Sequence, residues 1–474
     1  MARAGEALAS LGRALAPHAQ RTLVLAGPGN NGGDGLVAAR LLHSARHAVT
    51  VRLAADPARL PADAKQALRM ASSAGIDIQP FDANETFRLG PQDLAIDALL
   101  GIGGKRQPEG ALAGAIRLLC SLPAFTLAVD LPSGLHPDTG ALLGDHAVLA
   151  DATLALLTLK PGCLTAQGRD HAGELWWNDL GQALGSPTAC LTGRPWITAR
   201  PHAAHKGRFG DVWLIGGSEG MVGALILASS AALAAGAGRV LACPLAPQGA
   251  MAPSWRPEAM LRKPSEGLLP STLAQATVVA GCGGGPSIAS ALPALLEHAA
   301  RLVLDADALN CTAADTGLQA ALQARMGRGL ATVLTPHPLE AARLLGQCSE
   351  RVQADRLGAA QALADRFQAV VVLKGSGTVI AAPGLVPCIN ATGNAALGTA
   401  GTGDVLAGWL GGLWAQAAGA AHGAGLQQQH DVACAASWWH GHAADLHLAT
   451  GRSGPLRAAD LIEAMARATA PSRD

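Results

Sequence analysis

The segment 22–35, TLVLAGPGNNGGDG, places a glycine-rich loop directly after a short apolar run, which is typical of a strand–loop–helix unit that binds a phosphate. A second glycine-rich segment, 398–408, GTAGTGDVLAG, also opens a helix-like stretch. Each loop can direct backbone N–H groups at an anion, because the first amides of a helix have no partner within it. The two loops differ too much in sequence to be copies, so we predict two different nucleotide-handling units in series.

The composition limits the possible functions. The chain has 474 residues, of which 49% are hydrophobic and 15% charged, which suits two or three domains with large cores and excludes general disorder. Its formal net charge of +0 shows no basic footprint for nucleic acid. Nine cysteines without a C-x-x-C pair argue against a disulfide framework and a structural zinc site. We expect a cytoplasmic protein that binds neither nucleic acid nor membrane.

The first half alternates short apolar runs with helical stretches. The predicted strands are Thr22–Ala26, Val49–Leu53, Ile76–Gln79, Leu94–Asp97, Thr126–Asp130 and Thr153–Leu159, with helices near 35–47, 61–74 and 111–121. This alternation predicts a mostly parallel sheet covered on both faces. Ligands bind at the carboxyl ends of such strands, where we expect the loop 27–35 to meet residues 97–101 and 130–134.

A second α/β series follows a predicted linker, residues 181–210, which is rich in Gly, Pro, Thr and Arg. Its strands are predicted near 211–215, 239–243, 277–281, 301–305, 331–334 and 369–373, with an Ala-rich helix at 222–236. Residues 221–238 carry no charge, but their Ala, Gly and Ser content indicates a buried helix rather than a membrane span. We place the domain boundary near residue 190.

Two residues of the second series lie where phosphoryl chemistry would need them. Asp404 follows the second glycine loop at a helix start, where an Asp can simply cap the helix. Beside an anion-binding loop, a carboxylate can also deprotonate a hydroxyl that attacks a phosphoryl group, and we favour this interpretation. Lys374 ends an apolar run and precedes Gly375-Ser376-Gly377-Thr378, which suits a nucleotide phosphate, although a strand-end Lys can equally reach to water.

Other polar residues leave several roles open. Asp305 and Asp307 follow a predicted strand, where contact with magnesium or ribose and simple helix capping are equally consistent with the sequence. A lone histidine such as His337 is more often structural than functional. The glycine run 281–285 allows close approach of backbone to a ligand. We interpret three further histidines as packing residues, because their spacing gives no common metal-binding face: His440, His442 and His447.

Taken together, these motifs resemble the bifunctional NAD(P)H-hydrate repair enzymes. The C-terminal half is similar to their ADP-dependent dehydratase at His205–Gly210, Gly216–Ser218, Gly223–Ala224, Leu304–Asn310, Thr335–Glu340, Lys374–Thr378 and Gly401–Gly408. The N-terminal half is similar to their epimerase at Asn30–Asp34, Asp97–Gly101 and Val129–Gly134. The resemblance implies two three-layer αβα domains, a Rossmann-like epimerase at 1–188 and a ribokinase-like dehydratase at 189–474.

The resemblance implies a task for the second domain. The S epimer of NADH or NADPH hydrated at C6 would be phosphorylated by ADP with Mg²⁺ and then lose phosphate, giving AMP and NAD(P)H. Asp404 would be the base, and Ala224, Gly285 and His337 would contact the hydrate. The nucleotide would be bound by Lys374, Gly375, Ser376, Gly377, Thr378 and Gly403. The resemblance also implies a homo-oligomer.

In the first domain, the resemblance implies interconversion of the R and S hydrates. Asp130 would be the acid/base residue, and K⁺ would be bound by Asn31, Asp97 and Ser133. The substrate would contact Asn30, Asn31, Gly32, Gly33, Asp34, Gly101, Ile102, Gly103, Gly104, Lys105, Arg106 and Gln107. Only about twenty residues precede the first predicted strand, fewer than is usual in the family, so we expect a domain that is short at its N-terminus.

Three alternatives differ in what they explain. A ribokinase-type small-molecule kinase would share Asp404 and its loop but gives no reason for the first domain. The first domain could instead be a non-catalytic binding or assembly module. A plain dehydrogenase fits worse, because the first loop lacks G-x-G-x-x-G and no acidic residue completes the ribose contact.

Overall fold

The computed structural model describes residues 1–195, 200–246, 256–419 and 425–469. The chain divides into two compact units, Met1–Ser186 and Pro187–Asp474. The boundary expected after residue 188 lies two residues beyond this division. Each unit contains its own sheet, and in both the chemistry-bearing loops follow the carboxyl ends of parallel strands.

The first unit is built on a seven-stranded parallel sheet. Its strands are β1 Arg21–Ala26, β2 Ala48–Leu53, β3 Asp77–Pro80, β4 Leu94–Ala98, β5 Phe125–Val129, β6 Ala152–Leu156 and β7 Glu174–Asn178. The order β3-β2-β1-β4-β5-β6-β7 reverses direction between β1 and β4. This is the doubly wound order of a Rossmann-like fold, in which ligands bind where the order reverses.

Helices cover both faces of the first sheet. They are α1 Ala2–Leu15, α2 Asn30–Ser44, α3 Ala62–Ser73, α4 Gly110–Ser121 and the short α5 Gly168–His171. On one face, Leu8 and Leu36 pack with Val24, and on the other face Ile116 packs with Leu23. Because β1 is buried on both faces, its residues are apolar almost throughout, which is why this strand is easily recognised in the sequence.

The second unit contains a ten-stranded mixed sheet in the order β11-β10-β9-β12-β13-β14-β15-β16-β17-β8. The strands are β8 Cys190–Leu191, β9 Asp211–Gly216, β10 Arg239–Pro244, β11 Met260–Leu261, β12 Thr277–Ala280, β13 Arg301–Leu304, β14 Ala331–Leu334, β15 Val370–Leu373, β16 Thr378–Ala381 and β17 Cys388–Asn390. The β15–β16 and β16–β17 pairs are antiparallel, and the other pairs are parallel. The order reverses between β9 and β12.

Helices again form layers on both faces of this sheet. They are α6 Val222–Ala234, α7 Pro264–Gly267, α8 Pro270–Leu273, α9 Leu292–His298, α10 Asp307–Ala314, α11 Thr316–Ala324, α12 Pro338–Leu345, α13 Ser349–Ala354, α14 Arg356–Phe367, α15 Thr402–Gly419, α16 Leu426–Ala449 and α17 Ala458–Ala468. One core contains Trp409, Trp414 and Trp439, all nearly inaccessible, and the opposite core contains Phe367. The predicted αβα class is thus confirmed for both units.

Several local predictions were wrong. Helix α2 begins at Asn30 rather than near 35, so the residues after Gly29 form its first turn instead of a loop. The strand predicted at 153–159 ends at Leu156. The predicted linker 181–210 contains β8, which pairs with β17 of the second sheet, and residues 196–199 of it lie outside the described residues. Among the described residues, no helix combines the length and the apolar character needed to cross a membrane.

Candidate functional sites

A cavity of about 610 Å³ opens in the first unit where the strand order reverses between β1 and β4. The loops after β1 and β4 form two of its walls, and residues after β5 and β6 form others. Many of the predicted site residues line it: Asn30, Asn31, Asp34, Gly101, Ile102, Gly103, Gly104 and Asp130. The structure therefore brings residues from three remote segments to one place.

Close backbone packing at Gly27 holds the two main loops of this cavity together. The Gly27 N–H donates to the carbonyl of Ala98 at 3.0 Å. A Cβ on Gly27 would lie only 1.7 Å from the carbonyl oxygen of Leu99, so no larger residue fits at this crossing. The glycine that the sequence places directly after β1 is therefore needed for loop contact.

Asp130 and Lys160 form a buried ion pair in the wall of the cavity. The Lys160 ammonium also donates to the carbonyls of Leu156, at 2.6 Å, and Thr158, at 2.9 Å. Asp130 has a φ of 73°, a left-handed conformation that is costly for a non-glycine residue and that is often found at functional sites. The fold thus fixes both the backbone and the charge partner of this carboxylate.

Lys160 was missed in the sequence, although a signal was present. It follows the apolar run 152–157 closely and precedes Pro-Gly, much as Lys374 ends an apolar run before glycine. With only six lysines in the chain, each such position is informative. The strand prediction that ran on to residue 159 hid the turn that carries Lys160 back to Asp130.

A second carboxyl group, that of Asp34, faces the same cavity from the first turns of α2. Burial raises its pKa from the ordinary 3.8 to about 6, and the neighbouring Asp130 charge adds to the rise. Two carboxyl groups with different surroundings can divide the roles of acid and base near neutral pH. Asp34 and Asp130 therefore form a possible acid/base set.

Two of the three residues expected to bind K⁺, Asp97 and Ser133, are in direct contact. Ser133 donates to Asp97 through its hydroxyl at 2.6 Å and through its backbone N–H at 2.7 Å. Burial raises the pKa of Asp97 to about 6, so its carboxylate lacks full charge compensation. The buried Asn31 amide nitrogen has no hydrogen-bond partner among the described residues. A set of carboxylate, hydroxyl and amide oxygens fits a hard cation.

Not every predicted substrate contact reaches this cavity. Gly32 and Gly33 do not line it, and a Cβ on Gly32 would lie 2.2 Å from the Gly27 carbonyl oxygen, which points to a packing role. Lys105 and Arg106 are also absent from the cavity lining. Gln107 packs instead against Gly144.

In the second unit, the loops after β9 and β12 meet where the strand order reverses. The N–H of Ser218 donates to the Gly283 carbonyl at 2.7 Å. Gly283 has a φ of 59°, and a Cβ there would lie 2.9 Å from the Ala224 side chain. Gly285 follows immediately, and its N–H donates to Asp307 at 2.8 Å. The structure thus brings Ala224 and Gly285 into one neighbourhood.

Asp404 lies in the first turn of α15, close to the carboxyl group of Asp305 and the thiol of Cys282. Ligand atoms of Asp404, Asp305 and Cys282 all lie within 4.8 Å of one another. Burial raises the pKa of Asp404 to about 6, and the Asp305 charge raises it further, whereas Lys374 opposes the rise. A partly buried carboxyl with a pKa near 6 is ionised at neutral pH yet basic enough to accept a proton.

Lys374 connects this carboxylate cluster to the glycine loop. Its ammonium lies 2.6 Å from Asp305 Oδ1, which also accepts from the Thr335 hydroxyl at 2.7 Å. The same ammonium lies 3.4 Å from the position of a Cβ on Gly403. A cation beside the backbone N–H groups that begin α15 can bind the negatively charged oxygens of a phosphoryl group.

Two positioning residues around this site were missed in the sequence. Buried Arg356 donates to the carbonyls of Leu373 and Lys374, at 3.0 and 3.1 Å. These hydrogen bonds hold the start of the loop 374–378 in place. His440 Nε2 lies 2.9 Å from the Thr402 carbonyl, and burial lowers the His440 pKa to about 4, so the ring is neutral and donates. The interpretation of His440 as a packing residue did not include this hydrogen bond, and no short motif marks either residue.

His337 is the N-cap of α12. Its Nδ1 accepts from the backbone N–H groups of Leu339, at 3.1 Å, and Glu340, at 3.3 Å, while Nε2 lies 3.2 Å from the Glu340 carboxyl. Burial and the Lys374 charge lower its pKa. Burial raises the Glu340 pKa to about 7. The capping role explains the residue locally, and its side chain remains 46% exposed.

Comparisons with known proteins cover nearly the whole chain. Residues 212–467 match the NAD(P)H-hydrate dehydratase family, and residues 1–162 match the family described as YjeF-related protein N-terminus. The bifunctional NAD(P)H-hydrate repair enzyme Nnr of Escherichia coli (strain K12) is 36% identical over 483 residues, covering 99% of this chain and 89% of that protein. The Nnr enzyme of Coxiella burnetii is 36% identical over 429 residues, covering 88% and 85%.

Among solved structures, a ribokinase-like superfamily protein from Enterococcus faecalis V583 is 25% identical, with a TM-score of 0.49, covering 61% of this chain and 98% of that chain. The fold and the two candidate sites indicate an enzyme that joins two α/β domains, each with a candidate ligand site where its strand order reverses. The chain belongs to the family of bifunctional NAD(P)H-hydrate repair enzymes. The resemblance inferred from the motifs is therefore confirmed.

Proposed function

We propose that the second domain, from about residue 189 onward, dehydrates the S epimer of NAD(P)H hydrate with ADP, and that the first domain interconverts the R and S epimers. The observation that carries this proposal is the placement of Asp404. Its carboxyl lies beside the Lys374–Asp305 pair at the amides that open α15, with its pKa raised to about 6. That arrangement provides a base, a cation and an anion-binding helix start in one place.

The dehydration proceeds in two steps, phosphorylation of the C6 hydroxyl and elimination of phosphate. Asp404 takes the proton of the C6 hydroxyl, whose oxygen attacks the terminal phosphorus of ADP while the bond to AMP breaks. The C6–O bond of the resulting phosphate ester then breaks as the ring nitrogen's electron pair assists, and loss of the C5 proton forms the C5=C6 double bond. The products are NAD(P)H, AMP and phosphate. Phosphorylation is needed because hydroxide is a poor leaving group.

The nucleotide is held by the segment after β15. Lys374 and the backbone of Gly375, Ser376, Gly377 and Thr378 bind its phosphates, and Arg356 keeps this segment in place. Gly403 lies beside the Lys374 ammonium. The carboxylates of Asp305 and Asp307 would hold Mg²⁺, which would neutralise the charge of the ADP phosphates. Ala224, Gly285 and His337 face the hydrate.

In the first domain, Asp130 takes the proton of the C6 hydroxyl, and the ion pair with Lys160 orients its carboxylate. Inversion follows when the C6–N1 bond breaks to give an aldehyde and N1 takes a proton from the Asp34 carboxyl. The reverse proton transfers then close the ring on the other face of C6. The loop residues that line the cavity bind the substrate around that carboxylate: Asn30, Asn31, Asp34, Gly101, Ile102, Gly103 and Gly104. Asn31, Asp97 and Ser133 would hold K⁺, which would supply positive charge beside the buried Asp97 carboxyl.

A mixture of R and S hydrates separates these activities. Recovery of NADH absorbance with ADP, Mg²⁺ and K⁺ should be complete for the parent enzyme. It should stop at the S fraction for Asp130→Asn and fail for Asp404→Asn. Full recovery by Asp130→Asn would make the first domain a non-catalytic module, and accumulation of a phosphorylated alcohol instead of free phosphate would indicate a kinase. We also propose a cytoplasmic homo-oligomer, and light scattering of the purified chain tests its assembly.

A further inference from the structure

A second group of metal-binding side chains lies in the dehydratase domain, away from the carboxylates described above. Cys388 begins β17, and His430 and Cys434 lie one turn apart on α16. Their candidate ligand atoms all lie within 4.8 Å of one another. The two cysteines are 46 residues apart in the chain, so no short motif predicts their convergence.

The spacing of these atoms is close to that of a tetrahedral metal site. Cys434 Sγ lies 3.8 Å from His430 Nδ1 and 3.9 Å from Nε2. Zinc–sulfur and zinc–nitrogen bonds of about 2.3 and 2.05 Å at a tetrahedral angle place sulfur and nitrogen about 3.6 Å apart. The helix supplies two of the ligands on one face, since residues i and i+4 are neighbours.

The surroundings orient one of these side chains and leave the cluster open to solvent. His430 is buried and is hydrogen-bonded to the backbone of Ile380, the kind of second contact that orients a metal-binding imidazole. Cys388 and Cys434 are only partly buried, so an ion can enter from solvent.

We propose that Cys388, His430 and Cys434 bind a thiophilic divalent metal of the zinc class, with water in the fourth position. Two sulfurs and one imidazole select a soft or borderline ion over Mg²⁺ or K⁺. His430 and His440 are ten residues apart on α16, which corresponds to about 15 Å. The metal is therefore structural: it fastens α16 to β17 and takes no part in the reaction. The expectation of no zinc site rested on the lack of closely spaced cysteines.

The test adds Cd²⁺ alone to the reduced full-length protein and follows the ultraviolet sulfur-to-cadmium charge-transfer band. We expect one thiolate-bound Cd²⁺ per chain that Zn²⁺ displaces. Cys388→Ser and Cys434→Ser should each abolish the band, and His430→Ala should weaken binding at least ten-fold. Cys348→Ser, a matched exposed cysteine on another element, should bind as the parent does. Circular dichroism identifies any variant that fails to fold, and the folded variants then show whether these three side chains bind the ion.

Two results would overturn the proposal. One is a charge-transfer band that persists in folded Cys388→Ser and Cys434→Ser, which would place the ion elsewhere, for example at Cys282. The other is no band in the parent protein although thiol titration shows every cysteine reduced. Neither result bears on the proposed dehydratase activity, because the three ligands do not touch that site.

Discussion

Replacing Asp404 by Asn should abolish dehydration while making the dehydratase domain more stable. The substitution keeps the shape of the side chain but removes its charge and its basicity. In the folded protein, burial and Asp305 raise the pKa of Asp404 from the ordinary 3.8 to about 6. The ionised carboxylate is thus disfavoured by the fold, although the proposed reaction requires it.

The magnitude follows from this pKa change. A rise from 3.8 to about 6 means that ionised Asp404 costs the folded state up to about 3 kcal/mol at pH 7. Because the folded pKa is raised, the cost is absent below pH 3.8, grows as the pH rises, and is complete above about pH 6. Asn carries no such cost, so the variant's advantage should appear only above pH 4 and level off above pH 6.

The activity should respond in the opposite direction. General bases typically contribute about 10²–10⁴-fold to the rate, so Asp404→Asn should lower kcat for S-hydrate dehydration by that factor. In the parent enzyme, the rate should fall about ten-fold for each pH unit below 6, because protonated Asp404 cannot accept the hydroxyl proton. NADH absorbance gives the rates, and urea unfolding gives the free energy of unfolding across pH.

A matched control comes from another helix. Asp460 is the third residue of α17, as Asp404 is the third residue of α15, but it is exposed and paired with Arg457. Asp460→Asn should leave both the rate and its pH dependence unchanged. Two results would contradict the role of Asp404. One is an Asp404→Asn rate within ten-fold of the parent's, and the other is unfolding of this variant at a lower urea concentration than the parent at pH 7.

Three further variants test other parts of the structure. Lys160→Met should slow clearance of the R hydrate at least ~100-fold and leave S dehydration intact; equal loss of both activities would contradict this role. Lys374→Met should raise the KM for ADP at least ten-fold. Because it leaves buried Asp305 without its charge partner, it should also lower the free energy of unfolding in urea by about 3–5 kcal/mol. An unchanged KM would show that Lys374 does not bind the nucleotide. Gly27→Ala, whose Cβ would lie 1.7 Å from a carbonyl oxygen, should destabilise the first domain by about 1–3 kcal/mol. Gly29→Ala is the control, because a Cβ at Gly29 would lie in open space. Equal calorimetric unfolding midpoints for the two variants would contradict the close approach at Gly27.

The strands were predicted well because both sheets are buried on both faces. A strand such as β15, Val370–Leu373, reads as an uninterrupted apolar run, and the loop that follows it reads as glycine and polar residues. Two edge strands gave no such signal. Strand β7, Glu174–Asn178, is largely exposed and was missed, as was β8 at the end of the second sheet.

Much of the candidate site was also visible in the sequence, for a related reason. Parallel strands bring their carboxyl ends to one edge, so residues that follow successive strands, such as Asp97 and Asp130, could be grouped without any coordinates. Residues that reach the site by another route could not. Arg356 comes from α14 and His440 from the middle of α16, and only helix packing directs them to the loops that they support.

The sequence by itself determined the two αβα domains, their order and the loops that carry their chemistry, because apolar runs and glycine loops are local features. The tertiary structure alone decided the electrostatics of those loops. The Lys160–Asp130 pair, the pKa of about 6 at Asp404 and the Cys388–His430–Cys434 cluster each join residues that are remote in the chain. Burial and the distance between charges set these properties, and neither quantity can be read from sequence spacing.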